Sequence, residues 1–386
     1  MNFEFADRFK KLPKYLFVEL DKKKKRILEE GKDLIDLGVG DPDIKCPDSL
    51  IKIICTESQK KENQTYSLER GLRILREKIA IYMKKRFNVD LDPESEILVL
   101  IGSKEGIVHF PLSILNRGDL TLIPNPCYPP YRSSVIFCEA DYIDLPLTIE
   151  NEFLPQLDRI PKDILEKAKL LFLNYPNNPT TALASESFLK KVIEVAKTFG
   201  FVIVNDCAYS ELYFEEKPLS LLQIEGAKEV CIEFHSFSKT FCMTGFRLGW
   251  ACGNRDLISA LLKVKSHIDS GVFNPIQIGG AHLLENELRF IERVREIYRK
   301  RRDLFCKGLK EIGLEFFWPK ATFYVWAKIP KNMDSFKFAE FLIEECNILA
   351  TPGIGFGMYG EGYIRFSLTK KEEILEEAIE RLRKKL

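Results

Sequence analysis

Short apolar runs without polar alternation recur along the first three quarters of the chain. They fall at residues 97–101, 120–124, 170–173, 201–204 and 230–232, with amphipathic helical patterns such as 72–87 and 186–198 between them. Strands of this kind are buried on both faces, which is typical of parallel sheets covered by helices. Each run ends in a polar or Gly/Pro-rich loop, and such loops meet at the carboxyl edge of the sheet, where ligands bind. The pattern predicts an α/β fold with a mainly parallel sheet.

The pattern changes after about residue 274. A long charged helix is predicted over 285–312, strands over 323–327 and 363–367, and helices over 335–345 and 371–384. We therefore expect a large domain at 46–280 and a smaller α+β domain at 281–386. The segment 1–45 contains a predicted strand at 34–37, and we expect this segment to join the smaller domain.

Composition excludes several classes of function. The 58 basic and 57 acidic residues leave a net charge of +1, so no field draws nucleic acid or an anionic membrane. Ten scattered cysteines and four histidines lack metal-ligand or disulfide spacing, which predicts no metal site and a reducing compartment. No apolar run reaches membrane length and the N-terminus is unlike a signal peptide, so we expect a cytoplasmic protein.

The richest chemistry follows the run at 230–232. Ser236 and Ser238 stand beside Lys239, and Arg247 follows eight positions later. Hydroxyls and a guanidinium bind a phosphate dianion, while a lysine shielded from water can attack an aldehyde. Pyridoxal 5′-phosphate (PLP) carries both groups and is held by a lysine. The alternative is a surface Lys-Thr at a strand end with an unrelated arginine.

Two further loops indicate a ligand. Gly102-Ser103-Lys104 lies between a buried strand and a helix, where free N–H groups can bind an anion, although an ordinary capped turn would have the same sequence. The loop at 38–43 begins like a dinucleotide fingerprint but has Asp43 where the third glycine belongs, and no helix follows directly. We reject dinucleotide binding there and expect a loop whose backbone approaches a ligand closely.

Taken in order, these motifs resemble those of the fold type I PLP-dependent aminotransferases of class I/II, nearly from end to end. The residues that carry the resemblance are Gly102, Ser103, Lys104, Tyr128, Asn178, Pro179, Asp206, Tyr209, Ser236, Phe237, Ser238, Lys239, Arg247 and Arg365. The resemblance implies the fold of that family, with a mainly parallel seven-stranded sheet in a large PLP-binding domain and a smaller α+β domain.

The resemblance also implies catalytic roles around the cofactor ring. Lys239 resembles the Schiff-base lysine, which also moves the substrate proton, and Asp206 the carboxylate that keeps the ring nitrogen protonated. Asn178 and Tyr209 resemble the pair that hydrogen-bonds the ring oxygen. Tyr128 resembles the aromatic residue stacked on the ring face.

Further roles concern the phosphate and the neighbouring subunit. Ser103, the backbone N–H of Lys104, Ser236, Ser238 and Arg247 would hold the phosphate. Tyr66 resembles a tyrosine that reaches the phosphate from the other subunit, which implies a homodimer with shared active sites.

Arg365 resembles the arginine that binds the substrate α-carboxylate as a fork. Its alternative role is that of a strand arginine in a structural ion pair.

Within the class, the motifs are most similar to those of the LL-diaminopimelate aminotransferases. The stretches concerned are 101–106, 172–180, 269–273, 319–326 and 360–363. In that family a tyrosine at Tyr15, the glycine at Gly40 and the lysine at Lys104 border the substrate. Together with Tyr128, Asn178, Arg365 and, in a further cross-subunit contact, Asn274, these are the expected substrate-binding residues.

Two departures leave the substrate open. Thr181 replaces the glycine of the usual Asn-Pro-Thr-Gly, a glycine that the related alanine aminotransferases also lack. Asn125-Pro126-Cys127-Tyr128 replaces the more common Asp-Pro-Gly-Tyr. The first expectation is transfer between LL-diaminopimelate and 2-oxoglutarate in lysine biosynthesis. The alternatives are an alanine or aspartate aminotransferase, a PLP carbon–sulfur lyase, and a non-catalytic PLP-binding regulator.

Overall fold

The computed structural model describes residues 3–13, 17–67 and 70–386. The strands are β1 (Ile35–Asp36), β2 (Ile97–Leu100), β3 (Leu120–Asn125), β4 (Asp141–Pro146), β5 (Ala168–Asn174), β6 (Val202–Asp206), β7 (Cys231–Ser236), β8 (Gly249–Gly253), β9 (Phe316–Phe317), β10 (Tyr324–Lys328), β11 (Ile348–Leu349), β12 (Thr351–Pro352) and β13 (Tyr363–Ser367). The helices are α1 (Asp7–Lys10), α2 (Phe17–Glu29), α3 (Asp48–Ser58), α4 (Arg73–Phe87), α5 (Ser103–His109), α6 (Pro130–Phe137), α7 (Lys162–Lys167), α8 (Glu186–Phe199), α9 (Ala227–Val230), α10 (Phe237–Thr240), α11 (Arg255–Ser266), α12 (Asn274–Asn286), α13 (Leu288–Glu311), α14 (Ser335–Cys346) and α15 (Glu372–Arg383).

A seven-stranded sheet forms the centre of the molecule, in the order β2-β8-β7-β6-β5-β3-β4. All neighbouring strands from β7 to β4 run parallel, whereas β8 is antiparallel to both β7 and β2. Successive residues of β2 enter different apolar clusters, Ile97 and Val99 one, Leu98 and Leu100 the other. Both faces of the sheet are therefore buried, and the predicted mainly parallel α/β fold is confirmed.

Two strands of this sheet lack the apolar run that marks the others. The edge strand β4 is half exposed and carries Asp141 and Asp144. The antiparallel strand β8 is Gly-Trp-Ala-Cys-Gly, with a glycine at each end, although it is fully buried. Glycine and aspartate are depleted in strands, and pairing with the neighbouring strands overrides that tendency here.

Helix α8 illustrates how the local sequence sets the covering helices. Ser185 accepts a hydrogen bond from the Phe188 N–H at the start, and Gly200 ends the helix with a left-handed φ of 76°. The buried residues Leu189, Val192, Ile193 and Ala196 recur at helical spacing and pack on the sheet.

Smaller sheets come mainly from the C-terminal part of the chain. Strands β12, β13, β10 and β9 form a four-stranded sheet in that order, with β13 antiparallel to both neighbours. The N-terminal strand β1 pairs in parallel with β11, joining Ile35 to Ile348. The division at residues 45 and 280 stays a prediction, because these pairings do not fix domain boundaries. Among the described helices, none is both long and apolar enough to cross a membrane.

Candidate active site

A cavity of about 670 Å³ lies at the carboxyl ends of β5, β6 and β7. Side chains and loops of the smaller sheets close its other side. The predicted site residues that line it are Gly40, Ser103, Lys104, Tyr128, Asn178, Asp206, Tyr209, Ser236, Ser238, Lys239, Arg247 and Arg365. Residues far apart in the chain are thus brought together as the motifs predicted.

Lys239 sits in α10, directly after β7, and its ammonium is buried. Its Nζ donates a hydrogen bond to the carbonyl oxygen of Gly40 at 2.5 Å. Burial lowers the pKa of Lys239 to about 8, and the nearby guanidinium groups of Arg365 and Arg247 lower it further, against the opposing charge of Asp41. A lysine with this pKa supplies neutral amine near neutral pH, as nucleophilic and proton-transfer chemistry requires.

Asp206 ends β6 and presents a buried carboxylate to the cavity. Its Oδ2 accepts a hydrogen bond from the Tyr131 hydroxyl at 2.8 Å, and its Oδ1 accepts one from the Ala208 N–H at 3.1 Å. Burial raises the pKa of Asp206 to about 6, although these hydrogen bonds oppose the rise. Burial therefore disfavours the ionised carboxylate until a cation binds beside it. Sequence reasoning missed Tyr131, since nothing local links it to a residue 75 positions away.

Arg365 joins the two sides of the cavity from β13. Its Nη1 donates to Asn178 Oδ1 at 2.7 Å and its Nη2 to the Gly38 carbonyl at 2.8 Å. The described hydrogen-bond partners of this guanidinium are Asn178, the Gly38 carbonyl and the Thr351 hydroxyl, with no carboxylate among them, so the structural ion pair considered above is absent from the described residues. The guanidinium also stacks over the Tyr324 ring at 4.0 Å. A cation held by neutral acceptors can still attract an anion.

Tyr324 is a second residue that sequence reasoning missed. Its hydroxyl lies 3.0 Å from the Tyr209 hydroxyl, and a Cβ added at Gly40 would clash with that same Tyr324 hydroxyl. A side chain at position 40 would force the Tyr324 or Phe323 ring to shift, because the backbone runs close against the hydroxyl end of one and the edge of the other. The predicted close approach of this loop therefore has a steric basis.

The opposite end of the cavity is suited to an anion. Gly102 has a φ of 74°, and its missing side chain leaves room for the Arg247 guanidinium at the start of α5. The first N–H groups of α5, those of Ser103 and Lys104, have no acceptor within their own helix. Ser236 caps α10 by accepting a hydrogen bond from the Ser238 N–H at 3.1 Å.

The donors and acceptors of the cavity fit PLP. Hydroxyls, backbone N–H groups and the Arg247 guanidinium at one end match a phosphate. The buried Asp206 carboxylate matches a protonated ring nitrogen, and Lys239 stands between the two ends with its pKa lowered. The buried Nε of Arg365 has no hydrogen-bond partner in the described structure, so this guanidinium has capacity left for a carboxylate.

Two of the predicted site residues that the structure describes do not line the cavity of a single chain. Tyr66 is 88% exposed, and Asn274 is buried at the start of α12 with its Oδ1 unpaired within the described residues. Neither lines the cavity. Tyr15 lies outside the described residues. The roles expected for these three residues stay predictions.

Thr181 adopts a backbone conformation that explains the family's glycine. Its φ is 68°, in the left-handed region that a β-branched residue rarely enters. The residue is fully buried, and its hydroxyl has no hydrogen-bond partner among the described residues. The departure therefore changes the backbone strain beside Asn178 rather than the set of polar groups in the cavity.

Fold and cavity together define a PLP-dependent transaminase, and the chain belongs to the class I and II aminotransferases. The family model "Aminotransferase class I and II" matches residues 32–382. As a member of this family the enzyme acts on small-molecule amino acids and oxo acids.

Individual relatives narrow the comparison. The chain is 48% identical over 382 residues to the LL-diaminopimelate aminotransferase of Aquifex aeolicus, covering 99% of both chains. It is 47% identical to the enzyme of that name from Syntrophobacter fumaroxidans, covering 100% of this chain and 99% of the relative. Among solved structures, substrate-bound BacF from Bacillus subtilis superposes with a TM-score of 0.95 at 37% identity, covering 100% of this chain and 98% of BacF.

Proposed function

We propose that this enzyme transfers an amino group between LL-2,6-diaminopimelate and 2-oxoglutarate in lysine biosynthesis. The observation that carries the substrate is the identity of 47–48% over essentially the whole chain to relatives of that activity. Glutamate would donate the amino group in the biosynthetic direction, and tetrahydrodipicolinate, the cyclised oxo acid, would accept it. A biosynthetic enzyme of this kind is expected in the cytoplasm.

The residues that would hold PLP divide into two groups. Ser103, the Lys104 N–H, Ser236, Ser238 and Arg247 would bind its phosphate. Tyr128, Asn178, Asp206, Tyr209 and Lys239 would contact its ring and aldehyde carbon. When bound, PLP supplies an electron sink for the bond broken at the substrate Cα.

Side chains of the cavity would then transfer the substrate proton and balance the charge on the cofactor ring. The Lys239 amine would remove the proton at the substrate Cα as a general base, and the ammonium so formed would deliver that proton to the aldehyde carbon of PLP as a general acid. A pKa near the working pH suits both roles. Asp206 would keep a positive charge on the ring nitrogen, and Tyr209 would donate a hydrogen bond from its hydroxyl to the ring oxygen.

Substrate binding would depend on Arg365. Its planar fork would take the α-carboxylate, with Asn178 and the Gly38 carbonyl fixing its orientation. Gly40 and Lys104 would border the rest of the substrate, with Lys104 offering a cation at the exposed side of the cavity. We also assign Tyr15 and Asn274 to substrate binding.

We further propose that the enzyme is a homodimer with shared active sites. Support comes from Tyr66, which is 88% exposed and does not line the cavity of its own chain. A tyrosine so exposed is available to a second subunit. Sedimentation of the purified holoenzyme should give the mass of two chains.

The decisive experiment compares amino donors with the cofactor-loaded enzyme and 2-oxoglutarate. Glutamate formation is followed with LL-diaminopimelate, L-alanine and L-aspartate in parallel, and a Lys239→Ala variant serves as the blank. Preference for LL-diaminopimelate is expected. Preference for alanine or aspartate would keep the aminotransferase and overturn the substrate. Release of pyruvate and ammonia from cystathionine without an oxo acid would identify the carbon–sulfur lyase instead.

A further inference from the structure

The segment Leu37–Asp43, here termed the carbonyl loop, uses four consecutive carbonyl oxygens as acceptors. The donors are the Ser367 N–H to Leu37 at 2.7 Å, Arg365 Nη2 to Gly38 at 2.8 Å, the Thr369 hydroxyl to Val39 at 3.1 Å and Lys239 Nζ to Gly40 at 2.5 Å. One short loop thus contacts two cations of the site, the proposed carboxylate-binding arginine Arg365 and Lys239.

The far end of the carbonyl loop is held by a single buried guanidinium. Arg301 of α13 donates from Nη1 and Nη2 to the two carboxylate oxygens of Asp43, at 2.7 and 3.0 Å. Its Nη1 also donates to the Leu368 carbonyl at 3.2 Å, just past the strand that carries Arg365. The Arg301 side chain is 4% exposed and the Asp43 side chain 25% exposed. Arg301 therefore joins the end of the loop to the end of β13.

Between its two ends, Leu37 and Asp43, the loop has little side-chain packing of its own to fix it. Two of its residues, Gly38 and Gly40, have no side chain, and Val39 is 55% exposed. Glycine leaves the backbone many conformations, so the positions of the carbonyl oxygens depend on the donors that bind them and on how the ends of the segment are held. These donors include the Thr351 hydroxyl, which lies 2.9 Å from the Gly38 carbonyl oxygen. Leu37 is held by backbone pairing, and Asp43 by Arg301.

We propose that Arg301 is a positioning residue for substrate binding. By clamping Asp43 it holds the Gly38 and Gly40 carbonyls against Arg365 and Lys239, so that the Arg365 fork meets a carboxylate in one orientation. The inference rests on the proposed roles of Arg365 and Lys239 in an aminotransferase. Without the clamp the loop carbonyls would move, and Arg365 would lose a fixed acceptor on one side.

The chain offers a matched control in the next residue. Arg302 is 4% exposed in its side chain, donates to the Glu215 carboxylate at 2.6 Å and also donates to a carbonyl, that of Pro319 at 3.1 Å. None of these partners lies in the carbonyl loop or the cavity. Arg301→Met and Arg302→Met therefore remove the same kind of buried ion pair, and only the first releases the loop.

The experiment follows single-turnover conversion of L-glutamate by cofactor-loaded enzyme through the change in cofactor absorbance. Glutamate is used because every aminotransferase alternative discussed above shares this half-reaction. Arg301→Met should raise the half-saturating concentration of glutamate on the order of tenfold or more, since small misplacements of a binding group are costly, with a smaller change in the limiting rate. The same factor is expected for 2-oxoglutarate in the reverse half-reaction. Arg302→Met should change half-saturation less than about twofold, although both variants lose thermal stability.

Two further variants keep the test informative if Arg301→Met fails to fold. Arg301→Lys retains the charge without the fork, and Asp43→Asn changes only the partly exposed partner; each should raise half-saturation by a smaller factor than Arg301→Met. Equal effects of the Arg301 and Arg302 variants, or unchanged half-saturation in Asp43→Asn, would overturn the positioning role alone. A wild-type enzyme that does not convert glutamate would overturn the proposed function and this inference with it.

Discussion

The two walls of the cavity are built on different principles. The strand-end wall carries Asp206 and Lys239, which directly follow or end buried strands of the central sheet. The loop wall consists of the Gly38 and Gly40 backbone with Tyr324 and Arg365 of the smaller sheets. On the strand-end wall the chemistry lies in side chains whose positions follow from the sheet. On the loop wall it depends on backbone carbonyls and rings that long-range contacts assemble. The difference predicts that the first wall controls reaction rate and the second controls substrate binding.

The largest effect is expected on the strand-end wall from Lys239→Ala. Loss of the amine would remove both the proposed covalent bond to the cofactor and the proposed proton-transfer group, so activity should fall on the order of 10⁴-fold or more. The visible absorbance of the lysine-bound cofactor should disappear as well. Lys104→Ala removes the other lysine of the cavity and should keep that absorbance. Normal turnover by Lys239→Ala would contradict the assignment of the whole wall.

Asp206→Asn should reduce the rate by about 10²–10⁴-fold, because an amide cannot balance a positive charge on the ring nitrogen. The effect should appear in kcat, with little change in the KM for the amino acid. A variant with unchanged kcat and raised KM would place Asp206 with the loop wall instead.

The same substitution changes the pH dependence of stability in the cofactor-free chain. The folded-state pKa of Asp206 is about 6 against 3.8 for the ordinary carboxyl. Between these values the folded chain binds more protons than the unfolded chain, so the free energy of unfolding falls as pH rises through this window. Above pH 6 the cost reaches about 3 kcal/mol. Denaturant melts should therefore show Asp206→Asn gaining more stability over wild type at pH 7.5 than at pH 5; an equal gain at both would rule out the titration.

On the loop wall, Gly40→Ala should lower kcat/KM by roughly 10–100-fold through KM, because the new methyl group displaces the loop or the Tyr324 ring. Tyr324→Phe removes the hydroxyl that the methyl group meets first. The double variant should therefore recover part of the loss relative to Gly40→Ala. Effects that simply multiply in the double variant would contradict the contact.

The smallest effect compares two threonines, one near each wall. Thr181 and Thr322 are both fully buried with a φ of 68°, yet only the Thr322 hydroxyl is used, accepting a hydrogen bond from the Tyr324 N–H at 3.1 Å. Thr181→Gly should raise the free energy of unfolding by about 1 kcal/mol, since it relieves left-handed strain and removes an unpaired hydroxyl. Thr322→Gly relieves the same strain but loses a hydrogen bond, so it should gain less. Chemical denaturation of both variants measures the difference.

The sequence predicted the strand-end wall more completely than the loop wall. Asp206 and Lys239 follow apolar runs that predict buried strands, so their meeting at one sheet edge follows from topology. The close approach of the loop at Gly40 was also predicted. Tyr131 and Tyr324 were not, because their hydroxyls contact Asp206 and Tyr209, which lie 75 and 115 positions away in the chain. No local pattern encodes such pairings. Strand β8 was missed for a related reason. Its sequence has a glycine at each end and does not predict a strand, and it becomes one by pairing with β2 and β7.

The antiparallel strand β8 also sets the order in which the protein can be completed during synthesis. Strand β2 has a single neighbour in the sheet, β8, and Ile97 pairs with Cys252. The ribosome must add roughly 150 residues after β2 before this partner exists, which takes on the order of 10–30 s at usual rates. Throughout that interval an entirely apolar strand, Ile-Leu-Val-Leu, has no partner in its own sheet. The growing chain should therefore depend on chaperones most strongly between the synthesis of β2 and that of β8.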